Sequence, residues 1–472
     1  MKSIRTLVIG LGNLGDQLVK NIQAQTNKKF DLICALDDDP GKEKLSKEFG
    51  FEQFAATSCL EEIVNSSDIE YIIIAITNAN ARFLNDLMYR CLKLEVRTKY
   101  VTDEYTKLDE LEYFNTPIIE KNLTSLKEFN GSAGTKNEHD AILVTGGGGY
   151  IGNHLVRDLL SEGYKVVVLD SFIFKDHALK DLMDNPNLTI IEGCIENIRD
   201  VFESVKNIRY VIALAAIVGD PACSIDAQNT MIINYESTKI LVEACNYYGV
   251  EKLVFASSCS VYGASFDGSY LTESSTLNPV SLYARTRIFS EKYILDNAIN
   301  FSPVILRLST VFGYSDRMRF DLVVNLFTVK AIVENKIEIF GGNQWRPFVH
   351  CRDVAKAFKL AALADNEVVR GRIYNVGNDN LNYTIDDVGE LIQKILPQTE
   401  IINNGETDDP RNYKVKFDRI RNELGFNTDY DLVSGIEEMI EKIYKNRELE
   451  NYQDQLYSNL QTFKNLKLNK QF

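Results

Sequence analysis

Residues 141–160 read AILVTGGGGYIGNHLVRDLL, a pattern that decides the fold of most of this chain. An apolar strand ends at Thr145, and Gly146, Gly149 and Gly152 follow at G-x-x-G-x-x-G spacing before a helical pattern. Glycines at this spacing let the backbone approach a pyrophosphate at a helix N-terminus. The next strand, YKVVVLD, ends at Asp170, where a carboxylate favours the 2′-hydroxyl of NAD and repels the 2′-phosphate of NADP.

A second turn of the same kind lies near the start of the chain. There the run VIGLGNLG places Gly10, Gly12 and Gly15 after a strand, and the strand FDLICAL leads into Asp37. Strands and helices then alternate to about residue 120, and the polar, glycine-containing run 122–140 loses that periodicity. The sequence predicts an α/β fold with two tandem Rossmann-like, doubly wound parallel sheets, the second carrying a smaller C-terminal α/β substrate-binding region.

Charge and composition exclude several classes of partner. The 472 residues include 52 Lys and Arg against 67 Asp and Glu, a net charge of −15, which disfavours nucleic acid and anionic membranes as partners. The longest apolar runs have strand length and no charged-then-apolar leader opens the sequence, so we expect a cytoplasmic protein without membrane insertion. The eight Cys lack a C-x-x-C pair and the four His are isolated, which favours free buried thiols over a metal site or disulfides.

Seven motifs follow one another in an order that is typical of one family. They are TGGGGYIG at 145, LAAIVGDPAC at 214, NYESTKILVEAC at 234, FASSCSVYG at 255, SLYARTR at 281, LRLSTVFG at 306 and WRPFVHCRDVA at 345. From residue 142 to about 443 the chain resembles the extended short-chain dehydrogenase/reductases that act on sugar nucleotides, in their UDP-glucose 4-epimerase-like branch. The resemblance implies NAD as cofactor and a nucleoside-diphosphate sugar as substrate, and we expect a homodimer.

The same resemblance assigns the reaction to three residues: Ser258, Tyr283 and Arg287. A phenolate at Tyr283 would take the proton of a sugar C4 hydroxyl while hydride passes to the nicotinamide, and Ser258 would orient that hydroxyl. An adjacent cation lowers the pKa of a tyrosine from its usual value near 10. Family members use Lys for this purpose, and we expect the longer, planar Arg287 to substitute for it because it keeps the charge.

Ligand-binding residues are implied by the motifs in the same way. The resemblance assigns the cofactor to Gly146, Gly149, Tyr150, Ile151, Gly152, Asp170, Leu214, Ala215, Ala216 and Asn234. It assigns the nucleotide diphosphate of the substrate to Arg346 and Arg411, whose guanidinium groups suit phosphate, with Asn325 on the nucleotide side. In the N-terminal domain the turn Gly10, Gly12, Gly15 and Asp37 is a second candidate nucleotide site.

Some positions depart from the family pattern. Cys194 stands where an Asp usually lies near the adenine, and Thr310 stands where many 4-epimerases have a substrate-contacting Asn. Cys259 and Ser260 occupy the positions where 4,6-dehydratases carry an acid and a base, so dehydration is disfavoured. The histidines His154 and His350 lie within family motifs, where a packing role is expected.

The N-terminal domain resembles the nucleotide-binding domain that precedes the catalytic domain in polysaccharide-biosynthesis 4,6-dehydratases. We therefore predict a Rossmann-like nucleotide-binding domain over 1–121, a linker over 122–140, a catalytic domain over 141–446 and a polar tail over 447–472. The leading function is an NAD-dependent sugar-nucleotide 4-epimerase in surface polysaccharide synthesis. A 4-dehydrogenase or 4-ketoreductase is the alternative, followed by a 4,6-dehydratase or a non-catalytic nucleotide-sensing protein.

Overall fold

The computed structural model describes residues 3–24, 30–76, 87, 90–91, 94, 96–100, 141–174, 178–265, 268–405, 409 and 411–468. The chain divides into two compact units, residues 1–133 and 134–472. Each unit contains a parallel sheet with helices, which confirms the predicted tandem α/β fold. The predicted linker, residues 122–140, lies outside the described residues.

The first unit has a five-stranded parallel sheet in the order β3-β2-β1-β4-β5. Its strands are β1 (Ile4–Ile9), β2 (Phe30–Leu36), β3 (Gln53–Ala55), β4 (Tyr71–Ile74) and β5 (Arg97–Tyr100), and its helices include α1 (Asn13–Ala24), α2 (Glu43–Glu48) and α3 (Leu60–Ser66). Val8, Ala35 and Ile73 of the central strands are fully buried. Near-continuous apolar strands are typical of a parallel sheet that is covered on both faces.

The second unit is built around a seven-stranded parallel sheet in the order β16-β12-β10-β9-β6-β7-β8. The strands of this unit are β6 (Ala141–Thr145), β7 (Lys165–Asp170), β8 (Leu188–Glu192), β9 (Ile208–Ala213), β10 (Lys252–Ser258), β11 (Tyr270–Leu271), β12 (Ser302–Leu308), β13 (Thr310–Phe312), β14 (Lys336–Ile339), β15 (Trp345–His350), β16 (Arg372–Val376), β17 (Asn382–Thr384), β18 (Glu400–Asn403) and β19 (Lys414–Val415). The strand order reverses between β6 and β9, so their carboxyl ends border the crevice where such sheets bind ligands.

Helices cover this sheet and build a smaller region beside it. They are α4 (Gly152–Ser161), α5 (Ile198–Val205), α6 (Asp220–Cys223), α7 (Ala227–Met231), α8 (Ser237–Tyr248), α9 (Leu282–Asn297), α10 (Val323–Val333), α11 (Cys351–Leu363), α12 (Asn366–Val369), α13 (Ile385–Ile395), α14 (Asp418–Leu424), α15 (Leu432–Lys445) and α16 (Asn459–Leu468). A π-helical turn, Ile232–Glu236, joins α7 to α8. No helix among the described residues is long and apolar enough to cross a membrane.

The smaller α/β region predicted for substrate binding is present. Helices α10, α13 and α15 pack together and against the short parallel pair β14 and β18. They share a separate hydrophobic core that includes Phe327, Ile392 and Met439. The strands β13, β15 and β17 form a further small sheet.

The segment after residue 446 is folded, which corrects the prediction of a polar tail. Short 3₁₀ helices cover Arg447–Glu450 and Gln455–Tyr457, and α16 follows them. Leu449 and Phe463 are each 5% exposed. Only a few widely spaced apolar side chains of the segment, such as these two, are buried. The composition of the segment is therefore mostly polar and does not indicate that it packs.

A buried ion pair fixes helix α9 on the main sheet. The Arg307 guanidinium on β12 donates to both carboxylate oxygens of Glu291 on α9, at 3.0 and 2.6 Å. Both side chains are at most 5% exposed. Arg307 also donates to the Tyr262 hydroxyl at 3.0 Å, and the Ser257 hydroxyl donates to Glu291. The network therefore joins α9, β10 and β12 under the carboxyl end of the sheet.

Replacing Glu291 with Gln should destabilise the second unit by about 3–5 kcal/mol, because it leaves the Arg307 charge buried without a counter-charge. Urea denaturation measures this through the fluorescence of Trp345, the single Trp of the chain. The exposed pair Glu441–Lys445 supplies the control, since Glu441→Gln should leave the midpoint nearly unchanged. Equal midpoints for Glu291→Gln and the unmodified chain would contradict this role for the pair.

Candidate active site

The glycine turn after β6 requires glycine at two positions. Gly146 has a φ of +75°, and a Cβ there would lie 2.8 Å from the Ala215 nitrogen. A Cβ on Gly152 would lie 2.2 Å from the Gly146 oxygen. The turn thus packs closely on the loop after β9, where the Leu214 nitrogen donates to the Thr145 oxygen at 3.1 Å. This close packing brings the predicted cofactor residues of the two motifs together.

Asp170 closes the other side of this turn. Its Oδ2 accepts a hydrogen bond from the Gly148 nitrogen at 2.9 Å, and its Oδ1 accepts one from the Phe172 nitrogen at 2.9 Å. Burial raises the pKa of this carboxyl, and the two backbone donors oppose that rise. The carboxylate therefore stands at the end of β7 beside the glycines, as a ribose-binding acid must.

The first unit repeats this arrangement. The Asp37 Oδ2 accepts from the Leu11 nitrogen at 2.6 Å, and its Oδ1 accepts from the Asp39 nitrogen at 2.9 Å. Gly10 has a φ of +93°, and a Cβ on Gly15 would lie 2.0 Å from the Gly10 oxygen. By contrast, among the described residues no heavy atom beyond the chain neighbours of Gly12 lies within 4 Å of a Cβ built there.

Two predicted cofactor residues support the cleft from behind. The Asn234 amide, in the π-helical turn, accepts from the Ile217 nitrogen at 2.8 Å and donates to the Ile217 oxygen at 2.9 Å. The Tyr150 hydroxyl donates to the Gly313 oxygen at 2.5 Å. These polar groups form hydrogen bonds with loops of the protein, and the assignment of both residues to the cofactor stays a prediction. Ile151 precedes α4 and packs on the main core, and Ala216 lies in the loop after β9.

The three predicted catalytic residues lie on β10 and α9. Ser258 is the last residue of β10, and Tyr283 and Arg287 occupy the first two turns of α9. The Ser281 hydroxyl caps this helix by accepting from the Ala284 nitrogen at 3.2 Å. Arg287 Nη1 donates to the Ala256 oxygen at 3.1 Å, which ties the first turns of α9 to the end of β10.

Arg287 is buried beside the phenol ring of Tyr283. Its Cζ lies 5.1 Å from the centroid of that ring and 5.4 Å from the centroid of the Phe255 ring. Among the described residues, its buried Nε and Nη2 have no hydrogen-bond partner. Buried N–H groups normally have partners, so these two point to a ligand oxygen. They fit the ribose hydroxyls of NAD, and the glycine turn and Asp170 fit the rest of that dinucleotide.

The pKa of Tyr283 reflects several opposing charges. Burial raises it above the usual value, Arg287 lowers it, Cys223 and Asp220 raise it, and Arg319 lowers it. Within the protein alone the net shift is upward, against the prediction of a lowered pKa, because desolvation outweighs the nearby cations. Asp220 lies in the motif LAAIVGDPAC, and its effect on the pKa of Tyr283, like that of Arg319, was not predicted from the sequence.

Arg411 and Arg346 are brought together, as predicted for a diphosphate site, but they share carboxylates of the protein. Arg411 donates to both oxygens of Asp409, and its Nη1 lies 2.8 Å from the Asp220 Oδ2. Arg346 Nη2 donates to Asp409 at 3.2 Å, and its Nη1 donates to the Trp345 and Arg411 carbonyls. Although burial opposes ionisation, the bonds and charge of Arg411 hold the pKa of Asp409 at about 2.

These contacts separate the roles of the predicted substrate residues. Arg346 is 7% exposed and braces the chain around Asp409, whereas 28% of the Arg411 side chain is exposed. Arg411 is thus the better placed of the two for a phosphate. Asn325 is fully buried, and its amide contacts Gly313, Tyr150 and Arg319 at 2.8–3.4 Å. Its side chain holds the loop before α10, and its assignment to the nucleotide side of the substrate stays a prediction.

The positions that distinguish 4,6-dehydratases carry no acid–base pair. Cys259 is fully buried with its thiol donating to the Arg307 oxygen at 3.3 Å, and burial raises its pKa. Ser260 is 5% exposed. Neither side chain can act as a carboxylate, and this agrees with the sequence analysis.

The two histidines in the described part of the chain, His154 and His350, and most of the cysteines lie in the protein interior. His154 lies 3.0 Å from the Tyr314 oxygen, and burial lowers its pKa to about 4. His350 is fully buried, stacks on Tyr430 at 3.9 Å and lies 3.0 Å from Glu438. Six of the eight Cys are buried and none forms a disulfide. No cluster of three or more His, Cys, Asp and Glu suited to a metal occurs in the described part of the chain.

Comparison with known families identifies the class. A model described as the NAD dependent epimerase/dehydratase family matches residues 142–377, half of the chain, and a model described as an oxidoreductase family with an NAD-binding Rossmann fold matches residues 4–102. The second unit is therefore an NAD-dependent catalytic domain, in agreement with its glycine turn and Asp170. The chain belongs to the NAD-dependent epimerase/dehydratase family.

Individual relatives share this domain but differ in reaction. The dTDP-D-glucose 4,6-dehydratase of Mus musculus is 29% identical over 65% of this chain and 89% of its own length. The UDP-glucose 4-epimerase of Thermotoga maritima, solved with UDP-glucose, is 26% identical over 65% of this chain and 99% of that one, with a TM-score of 0.59. The UDP-glucuronic acid 4-epimerase of Bacillus cereus, solved with UDP-glucuronic acid and NAD, is 27% identical over 65% and 99%, with a TM-score of 0.58.

Two substitutions should shift the acid limb of kcat/KM in opposite directions. If Tyr283 is the base, as predicted, it must be deprotonated, and activity should rise as pH passes its pKa. Arg287→Met removes a charge that lowers this pKa and should move the limb to higher pH, whereas Asp220→Asn removes a charge that raises it and should move the limb to lower pH. Lys239→Met, on the Tyr235 ring, is the control. Shifts of the same sign in both variants would rule out this electrostatic account.

Asp170→Ala should relax the preference of the enzyme for NAD over NADP, because the carboxylate repels a 2′-phosphate. Turnover measured with each cofactor gives the ratio. The equivalent change in the first unit, Asp37→Ala, is the matched control and should leave this ratio unchanged. An Asp170→Ala enzyme with the unmodified preference would remove Asp170 from cofactor selection.

Proposed function

We propose that the protein is an NAD-dependent 4-epimerase of a nucleoside-diphosphate sugar. The observation that carries the proposal is the buried Arg287 beside Tyr283, with two unpartnered N–H groups, at the strand end that bears Ser258. A base, a fixed cation and a hydroxyl at the carboxyl end of a dinucleotide-binding sheet suit the oxidation of a secondary alcohol.

Each chemical step then has a protein group. When bound, NAD would supply the acceptor and donor of hydride for the two halves of the reaction. Tyr283 takes the proton of the C4 hydroxyl as the C4–H bond breaks, and gives it back to the same oxygen after the keto sugar has turned its other face. Ser258 donates to that oxygen while charge develops on it.

Arg287 performs the task of the usual Lys. At an effective dielectric constant near 20, a cation about 5 Å from a phenolate stabilises it by roughly 3 kcal/mol, and a change of about 1 Å alters this by only about 0.5 kcal/mol. The charge of the family's Lys is therefore nearly preserved. The forked guanidinium also offers two separate donors, Nε and Nη2, to the ribose hydroxyls. The ammonium group of a Lys would bind these hydroxyls through a single nitrogen.

The substrate would lie between Tyr283 and Arg411. Helix α6, which begins at Asp220, packs against α9, and Asp220 is paired with Arg411. A diphosphate on Arg411 would thus leave the sugar directed toward the base. Solved relatives of the epimerase type bind UDP-glucose or UDP-glucuronic acid, which supports a nucleotide sugar of this class.

The remaining assignments are proposals of wider scope. We expect the first unit to bind a second nucleotide at Gly12 and Asp37 and to act in assembly or regulation. We also expect a cytoplasmic homodimer with a role in surface polysaccharide synthesis. A 4,6-dehydratase activity, as in the mouse relative, is disfavoured by Cys259 and Ser260.

Incubation with NAD and a panel of nucleotide sugars tests the function by product analysis. We expect the C4 epimer without net change of NAD. Tyr283→Phe should abolish turnover and keep NAD binding because only the ionisable oxygen is lost, and Ser258→Ala should lower the rate by about 10²–10³.

Stoichiometric NADH with a 4-keto sugar would instead identify a 4-dehydrogenase. A Tyr283→Phe enzyme with unmodified turnover would exclude the proposed base, and Thr286→Val, on the same helix, is the structural control.

A further inference from the structure

The folded C-terminal segment is attached to the wall of the active site through Asn459. The Asn459 side chain accepts from Arg317 Nη2 at 2.6 Å and donates to the Val218 oxygen at 3.3 Å. Its backbone nitrogen donates to Asp321 Oδ2 at 3.1 Å, and the same carboxylate holds Arg319. One residue of α16 thus binds both the loop after β9 and the loop before α10.

Phe463, one turn further along α16, completes an apolar cluster. It packs with Ile217, Ala222 and Cys223, and the ring of Tyr283 packs against this cluster from the side of α9. Phe463 also meets Phe174 edge to face at a centroid distance of 6.0 Å. The ring of Tyr283 therefore packs against a cluster to which the last described helix of the chain contributes a residue.

We propose that α16 caps the sugar end of the active site, with Asn459 as its attachment and Phe463 as the apolar wall behind Tyr283, and that this cap retains the keto sugar between the two hydride transfers. The inference rests on the proposed 4-epimerase. Asn459 and Phe463 are positioning residues, because Phe463 acts through Tyr283 and Asn459 acts through the two loops that it joins.

The chemistry of epimerisation explains the need for such a wall. Oxidation moves two electrons and a hydrogen from C4 to NAD and a proton to Tyr283, and the keto sugar must turn over before they return. If the keto sugar escapes, NADH stays on the enzyme and no epimer forms. Because the apolar cluster shields the inner side of Tyr283 from water and Asn459 joins the two loops, the cap would keep the site closed while the keto sugar turns over.

The cap can be tested in the full-length chain with Phe463→Ala and Asn459→Ala. Each substitution should raise the ratio of released 4-keto sugar to epimer by at least about tenfold, as measured by product analysis. The NADH retained on the enzyme, measured by the absorbance of the reduced nicotinamide, should rise with it. Phe463→Leu should return this ratio most of the way to that of the unmodified enzyme, because Leu fills much of the space that Ala leaves empty. Leu449→Ala is the matched control, since Leu449 is equally buried in the same segment but packs in the other core.

A second measurement does not depend on turnover. Cys223 is fully buried in the Phe463 cluster, and burial raises the pKa of its thiol to about 12. Alkylation of Cys223, mapped by mass spectrometry, should quicken at least about tenfold in Phe463→Ala and remain unchanged in Leu449→Ala. An unchanged partition and unchanged alkylation in both Ala variants would overturn the cap, as would equal effects in Leu449→Ala.

The two readouts separate the cap from the reaction. Faster alkylation in Phe463→Ala alone, in a protein that oxidises no nucleotide sugar, would support the wall and refute the epimerase. Normal epimerisation in every variant, with Cys223 still protected, would support the epimerase and refute the cap.

Discussion

The buried pair of Glu291 and Arg307 is the constraint on which the active site depends. It joins α9 to β12 where water is excluded, and a broken pair would leave a charge that the interior cannot solvate. Arg287 lies about one turn and Tyr283 about two turns before Glu291 on the same helix. Their position relative to the strand end at Ser258 is therefore set by a contact that takes no part in the reaction.

The charges around Tyr283 show how one site can hold both a base and a diphosphate. The charges of Arg287 and Arg319 lower the pKa of the Tyr283 phenol, whereas the charge of Asp220 raises it. Asp220 is also paired with Arg411, so the phosphate end and the sugar end of the site share a carboxylate. A ligand that draws Arg411 toward phosphate changes the surroundings of the base as well.

The sequence was sufficient for the features that depend on local geometry. Gly146 is required by its positive φ, and Gly152 is required by the close approach of the backbone. These requirements fix the spacing of the glycines, which can be recognised in a sequence. It was insufficient where the partner lies far along the chain. The carboxylate that holds Arg346 is on another loop, and the amide of Asn325 contacts the Tyr150 hydroxyl from a distant segment. The C-terminal helix was missed for the same reason, because its packing depends on a few separated side chains such as Phe463.

The unpartnered N–H groups of Arg287 have a consequence for the folding of the enzyme. A buried donor without an acceptor destabilises the native state by about 1–3 kcal/mol, and a ribose hydroxyl would remove that penalty. A ligand at one hundred times its dissociation constant adds about 2.7 kcal/mol to the free energy of unfolding. If the ribose of NAD occupies this position, the stability of the second unit would rise with the supply of the dinucleotide, and depletion of NAD would favour loss of the protein itself as well as of its reaction.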